Sequence, residues 1–279
     1  MKNLTSVLFI LSFSITIAQK ASFIPQRGKI VFKEERIIAS AQQLDSSLLL
    51  KKPILYNMIK DLSIEQYIQA KLPVDTIAIL ENFKTTIQPA LDLALDPRNL
   101  FLVSKEHIYT FHDSIIQTEY KESPLDSNNE IIIIDRSSGK LSHFKLVDSI
   151  LKPNQKVVVG VSIKDSNTDI KIKEYRDIRK NIGGYDCFKI VVTTTENILN
   201  AYNIYEVEVS PEYKKRYKEN LEPITERTLY VTEQINCKYH PAISLSEVLE
   251  NYYPLEVIVK DSFLEGVEKR YTLEEITIE

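Results

Sequence analysis

After Pro97 the chain is written almost entirely in short runs of β-branched and aromatic residues separated by polar and turn-forming ones. The runs are LFLV (100–103), HIYTFHD (107–113), IIQTEY (115–120), EIIIIDR (130–136), KLSHFKLV (140–147), KVVVGVSI (156–163) and DIKIKEYRDI (169–178). CFKIVVTTT (187–195), YNIYEVEV (202–209), TLYVTEQI (228–235), PLEVIVK (254–260) and RYTLEEITI (270–278) follow. Strands that succeed one another without crossover helices pair with antiparallel neighbours, so this pattern predicts an antiparallel sheet. An earlier strand, GKIVFKEERII (28–38), points Ile30 and Phe32 one way and Lys29 and Lys33 the other, the alternation of a sheet with one wet face. In DRSSGK (135–140), Gly139 can supply the positive φ of a hairpin turn.

Residues 41–95 have a different character. In PILYNMIKDLSIEQYIQAKL and VDTIAILENFKTTIQPALDLAL the apolar residues recur at helical spacing, which predicts two or three helices punctuated by Pro53, Pro73 and Pro89. Two short helices are expected later. PEYKKRYKEN has Ser210 as N-cap and Pro211 at its first position, and SLSEVLENYY has Ser244 or Ser246 as its cap. The architecture expected is α+β but mainly β: a strongly curved antiparallel sheet, an incomplete barrel, whose apolar face the 41–95 helices cover.

The first residues, MKNLTSVLFILSFSITIAQ, carry Lys2, an apolar stretch from Val7 to Ile17, and small residues at Thr16 and Ala18. That is the pattern of a cleaved secretory signal, too short to cross a bilayer stably. Cleavage after Ala18 is expected, with Gln19 the alternative. The mature chain, 19–279, is then one β-rich domain with a helical insertion at about 41–95, periplasmic or secreted, with no integral span and no cysteine placed for a lipid anchor. Loss of Lys2 takes the net charge from −4 to −5. That mild acidity argues against nucleic acid as a partner, and KKRYK (214–218), flanked by Glu212 and Glu219, reads as a solvated helix face.

The six glycines are sparse, yet two stand together in NIGGYDCFKIVV (181–192). A charged strand, then Gly183-Gly184-Tyr185-x-Cys187-x-Lys189, an apolar strand, the Tyr230-Val231-Thr232 strand and a final YPLEVIVKD form an ordered set. That set resembles the exported GLPGLI-type proteins of Bacteroidetes, themselves similar to LolA-like periplasmic lipoprotein carriers. The likeness covers roughly 169–279 and, loosely, the first strand; residues 41–95 have no counterpart in it. Tyr253 to Val257 stand where the eponymous Gly-Leu-Pro-Gly-Leu-Ile stretch is expected, and the chain has no tryptophan. The resemblance implies an incomplete antiparallel barrel closed by helices. Within NIGGYDCFKIVV the glycines suit a tight turn or bulge. The strand that follows places Cys187 and Lys189 on one face and Phe188, Ile190 and Val192 on the other.

Candidate chemistry is thin. His107, His112, His143 and His240 lie in scattered contexts, and no Gly-x-Ser-x-Gly elbow or Gly-rich phosphate loop occurs. On an extended strand His107 and His112 fall on opposite faces, about 16 Å apart, too far for one metal. Glu274 and Glu275 are adjacent and diverge, unlike a glycosidase pair. Cys187 lacks a neighbour that would lower its pKa. Cys187 and Cys237 either pair across the exported fold or serve as two small buried hydrophobes. No catalytic residue, cofactor or metal ligand is therefore expected. The expected function is non-enzymatic: binding an apolar ligand, lipid or lipoprotein acyl chains, inside the helix-covered half-barrel. Phe188, Ile190 and Val192, or Tyr205, Val207 and Val209, would line it. The alternative is a structural or protein-interaction module of the cell envelope with a filled core.

Overall fold

The computed structural model describes residues 22–69, 76–99, 104–122, 130–147, 150–153, 169–195, 210–261 and 263–279. The predicted strands at 100–103, 156–163 and 202–209, the signal segment and Pro73 lie outside them. The described strands are β1 Gly28–Ile38, β2 Lys105–Phe111, β3 Ile115–Glu122, β4 Glu130–Asp135, β5 Leu141–Val147 and β6 Ile150–Pro153. Then come β7 Ile170–Ile182, β8 Tyr185–Thr195, β9 Ile224–Thr232, β10 Tyr253–Lys260 and β11 Val267–Ile278. All belong to one sheet, ordered β6-β5-β4-β3-β2-β1-β11-β10-β9-β8-β7.

Every pairing is antiparallel, and β1 holds the centre, bonded to β2 on one side and β11 on the other. Starting from β1, one meander runs outward to β6; the chain resumes at the far edge with β7 and meanders back to β11. The order is that of an up-and-down ring cut open between β6 and β7. Counting alternating directions outward from the β1/β11 pair, β6 and β7 run the same way. An odd set of mutually antiparallel strands cannot close by an antiparallel bond, and the described sheet is open. Register shifts at Val31/Phe32, Pro254/Glu256 and Tyr175/Arg179 bend the strands and add to the curvature.

The two-residue turn between β7 and β8 is Gly183-Gly184, with φ of 57° and 86°, while Ile182 pairs with Tyr185. Two consecutive positive φ values are what a tight hairpin matching the strand twist requires, and glycine adopts them without a Cβ penalty. A Cβ at Gly183 would stand 2.6 Å from Leu273 Cδ2, so this hairpin tip lies against β11. Gly139, at φ 68°, fills its expected place in the β4–β5 turn.

The helices are α1 Ala41–Gln69, α2 Thr76–Asn82, a π-helical turn Phe83–Ile87, α3 Gln88–Leu95, α4 Pro211–Arg216, α5 Lys218–Leu221 and α6 Ser246–Leu249. Pro53 does not end a helix as expected; it sits inside α1. Its missing N–H leaves the Leu49 carbonyl without its intrahelical partner, and both residues are exposed, where water can serve instead. Ser210 caps α4, its Oγ accepting from Tyr213 N at 3.1 Å. The residue at the cap of α6 is Leu245 rather than a serine, and no side chain caps that helix.

The expectation that residues 41–95 cover the apolar sheet face is corrected. The cover is the connection between β9 and β10, residues 233–252. It buries Ile235 and Cys237 in a cluster with Ile30, Phe32, Phe111, Tyr253 and Leu255. It also buries Ile243, Val248 and Leu249 in a second cluster with Phe188, Ile190, Val192, Leu229, Val231 and Val257. Phe23, just ahead of β1, bonds to it on both sides, Phe23 N to the Gln234 carbonyl at 3.0 Å and Asn236 N to the Phe23 carbonyl at 2.9 Å. By contrast α1, about 43 Å long at 1.5 Å per residue, is fastened near its two ends. Leu44 and Leu48 pack with Leu264, Val267 and Ile38 at the β10–β11 turn, whereas Met58 and Leu62 pack on Tyr213, Tyr217 and Leu221 of the α4–α5 region. Its second anchor is reinforced by Tyr213, whose hydroxyl donates to the Met58 carbonyl at 3.0 Å, and by Tyr217, whose hydroxyl donates to Asp61 at 2.7 Å.

Candidate functional site

Register shows which residues share the covered face. Ile190, Leu229, Val257, Tyr271, Glu34 and Lys105 stand directly opposite one another across six strands, from β8 to β2. The row is apolar over β8, β9 and β10 and becomes polar where β11 meets β1. Glu34 continues the Ile30, Phe32 alternation, so β1 puts a carboxylate on its apolar side. Glu34 is 13% exposed and His107, its neighbour on β2, 20%.

Two donors meet on that carboxylate, with Tyr271 directly opposite it on β11. His107 Nε2 is 2.7 Å from Oε2 and Lys269 Nζ is 2.7 Å from Oε1. Burial pushes the acid's pKa up, but the hydrogen bonds from His107 and Lys269, with their charges, more than offset it and hold Glu34 at about 2. The His107 ring lies 5.8 Å from that of Tyr271 and 6.5 Å from that of Tyr120. Arg227 projects from the next row of the same face, beside Val192 and Val259, and bonds to Thr194 Oγ1 at 2.6 Å.

Nearby, His240 is buried against Phe32 and Tyr253, ring centroids 4.7 and 5.5 Å away. Its Nδ1 accepts from Ala242 N at 3.0 Å, so the proton is on Nε2, which has no hydrogen-bond partner; the Pro254 carbonyl faces it without completing a bond. Burial drives this imidazole down to about 3 and keeps it neutral.

The Glu34–His107 pair has the form of a base and its orienter. Among the described residues no Ser, Thr or Cys side chain is hydrogen-bonded to His107, and no group of three or more His, Cys, Asp or Glu is placed to hold a metal. His112 is exposed and lines an open cleft of about 580 Å³ with Arg27, Gly28, Lys29, Thr110, Phe111 and Asp113. Arg27 closes a two-pronged ion pair on Asp113 there, both contacts 2.9 Å. A second open cleft, about 510 Å³, is lined by Lys84, Gln88, Pro89, Asp92, Leu93 and Asn99 of the helical block.

The residues named from the sequence fall as follows. Phe188, Ile190 and Val192 do share one face of β8, but at 3, 0 and 0% exposure they are sealed by Ile243, Val248 and Leu249. They are core, not the wall of a ligand cavity. Tyr205, Val207 and Val209 lie outside the described residues. Cys187 faces the other way, opposite Lys180, whose Nζ bonds to Glu256 at 2.5 Å and sits 4.0 Å from the centre of the Tyr230 ring. Lys189 lies on that same face, 5.3 Å from the Tyr175 ring. Tyr185 is half-buried against the first cluster. The Gly183–Lys189 motif thus builds a turn, a core edge and a cation–aromatic surface.

Of the two alternatives for the cysteines the structure has the second: Cys187 and Cys237 are two buried free thiols. Each Sγ donates to a different carbonyl, Tyr185 at 3.7 Å and Tyr239 at 3.6 Å. Burial raises both, to about 12 and about 11; the charges around Cys187 are Asp186, Lys180 and Glu256, whereas Cys237 feels Arg136. Both belong to the first core cluster.

Sequence reasoning missed the convergence of Glu34, His107, Lys269 and Tyr271, which come from three distant stretches of the chain. The available signal was Glu34 itself, an acid at the apolar parity of its strand.

No protein family model matches the chain, and no curated protein matches it. Among solved structures it is similar to the crystal structure of LprF from Mycobacterium bovis, with 11% identity and a TM-score of 0.24 over 63% of this chain and 79% of that one. At that level the likeness carries no argument about function. What stands is a mainly β chain, built on an open antiparallel sheet with a few helices.

Proposed function

We propose that the protein is a non-enzymatic component of the cell envelope, exported by a cleaved signal, that works as a structural or protein-interaction module with a filled core. The observation that carries this reading is the sealing of Phe188, Ile190 and Val192 by the protein's own 243–249 segment. An apolar ligand at that face would have to displace Ile243, Val248 and Leu249, all buried, and lose their packing of roughly 1.5–3 kcal/mol per side chain. The contact surface lies elsewhere. The helical block carries large exposed hydrophobics, Leu49 and Leu50 on α1, Ile77 on α2 and Leu93 on α3, apolar side chains that a partner would cover. Among the described residues no helix is long and apolar enough to cross a membrane. Kinship with the GLPGLI-type and LolA-like proteins belongs to the same proposal. It rests on the Gly183–Lys189 motif and on a sheet order consistent with an opened barrel.

The test is affinity purification of the tagged chain from its own host, with native mass spectrometry of the product. A stoichiometric envelope protein, lost when Leu49 and Leu50 are replaced by glutamate, supports the module. Lipid bound to every molecule, retained in that variant, would overturn it in favour of an apolar-ligand carrier.

A further inference from the structure

Within the covering connection, residues 237–244 are held on the sheet by side chains. Between Asn236, whose N–H bonds to Phe23, and Leu245, whose carbonyl starts the α6 turn, they make no backbone-to-backbone hydrogen bond among the described residues. Their anchors are the buried side chains of Cys237, His240 and Ile243, and the Tyr239 carbonyl, which accepts from the Tyr253 hydroxyl at 3.3 Å. A segment with so few backbone bonds opens locally at lower cost than the sheet beneath it. Its middle anchor is the His240 ring, set against Phe32 of β1 and Tyr253 of β10. That place suits only the neutral ring. Nδ1 already accepts from Ala242 N at 3.0 Å, so a second proton put there would face an N–H instead of a lone pair. Nε2, which carries the first proton, has no hydrogen-bond partner, and an imidazolium at this position would be a buried charge without a counter-ion.

We propose that residues 237–244 form an acid-released flap: protonation of His240 unseats the segment and uncovers the apolar face on which it lies, Phe32, Tyr109, Tyr253 and Leu255 among it. The sign follows from where the proton fits. In the closed flap burial holds the His240 imidazole at about 3, and in the open flap it returns to its ordinary 6.5. Below pH 6.5 the open form therefore binds the proton better. Closure keeps its full strength above pH 6.5 and weakens as the pH falls from there towards 3. The titratable groups around the ring are Tyr253 on β10 with Tyr109 of β2 beside it, His107 on β2, and Cys237, Lys238 and Tyr239 on its own segment. Glu34 of β1, bonded to His107 and to Lys269 of β11, stands on the same covered face. Burial raises the tyrosines and Cys237, so they keep their protons, while Glu34 at about 2 stays ionised. A proton on His107 opposes one on the buried His240 and so acts in the same direction, towards opening.

Cys237 rides on the flap, buried while it is closed, and its thiol reports each opening. The test is labelling of the native protein with a dithiodipyridine at pH 5.0 and 8.0, each rate divided by that of the urea-unfolded chain at the same pH. Peptide mass spectrometry separates Cys237 from Cys187, and amide exchange of Tyr185–Thr195 is measured alongside. The expected result is opening at Cys237 about thirtyfold more frequent at pH 5.0, the factor set by a histidine that ionises near 6.5 only when open. At both pH values it exceeds the opening read from the slowest β8 amides, because the flap moves without the sheet. In His240→Asn, which keeps an acceptor for Ala242 N and does not ionise, the pH difference disappears. Carbon-13 NMR reads the wild type without any substitution, and the ring assigned to His240 should still be neutral at pH 5.0. Four results overturn the flap: labelling of Cys237 that does not rise at pH 5.0, labelling no faster than global opening of β8, a rise that survives in His240→Asn, or a His240 ring that titrates near 6.5 in the native protein.

Discussion

Replacing Glu34 by glutamine keeps the shape of the side chain and removes the charge on which His107 and Lys269 converge. The acid is held at about 2 against an ordinary value of 4.5. That difference, at about 1.4 kcal/mol per pH unit, makes its ionised form worth up to about 3 kcal/mol of folding stability. The sign follows from the direction. A carboxylate depressed by folding stabilises fully above its unfolded pKa, near 4.5, and the contribution is lost as pH falls through about 2. Urea denaturation of wild type and Glu34→Gln at a series of pH values reads this directly. The variant should be less stable by about 2–3 kcal/mol at pH 6, with the gap narrowing below pH 4.5 and closing near pH 2. A gap that stays constant from pH 6 to pH 2 would show that the loss comes from packing rather than from the charge, and the electrostatic account of the site would fail.

Three further outcomes follow from the same geometry. Ile190→Ala, at a fully buried position, should cost about 2–5 kcal/mol in urea titration; a loss below about 1 kcal/mol would mean the face is not packed by the 243–249 segment. Gly184→Ala should cost about 1–2 kcal/mol from its positive φ alone, while Gly183→Ala should cost more, because its new Cβ also meets Leu273 and Ile276; equal thermal shifts for the two would contradict the packing of this turn on β11. Both cysteines should resist a thiol reagent in the native protein and react as two free thiols on unfolding, and an intact mass 2 Da lower under non-reducing conditions, the mark of a disulfide, would refute their assignment.

Much of the sheet was legible because strand signals are local. GKIVFKEERII, HIYTFHD and CFKIVVTTT announce strands by alternation and β-branching, and Gly183-Gly184 and Gly139 announce turns through the positive φ they must adopt. Ser210 with Pro211 marked the start of α4 for an equally local reason: the first N–H groups of a helix need an acceptor. Two readings failed where the deciding contact lay elsewhere. Pro53 reads as a helix stop, yet the exposed side of α1 tolerates the missing bond. The helical block reads as the cover of the sheet because it is the longest stretch of helical spacing in the chain. The cover is instead 233–252, whose Ile235, Cys237, Ile243, Val248 and Leu249 follow no single period and so signal no element. For the two cysteines the number alone left bridge and buried thiol both open, and only the fold gives each Sγ its own carbonyl.

By itself the sequence determined that the chain is mainly antiparallel β, where its hairpins turn, and that Phe188, Ile190 and Val192 share one side of a strand. These follow from backbone sterics and a side-chain period of two, which act over a few residues. The tertiary structure decided what lies on that side, which strands form the open edges, and that Glu34, His107 and Lys269 meet. Those depend on pairings between residues far apart in the chain, such as Lys29 with Glu275, 246 positions away. They are set by which apolar surfaces bury one another best, a competition over the whole chain that no local pattern encodes.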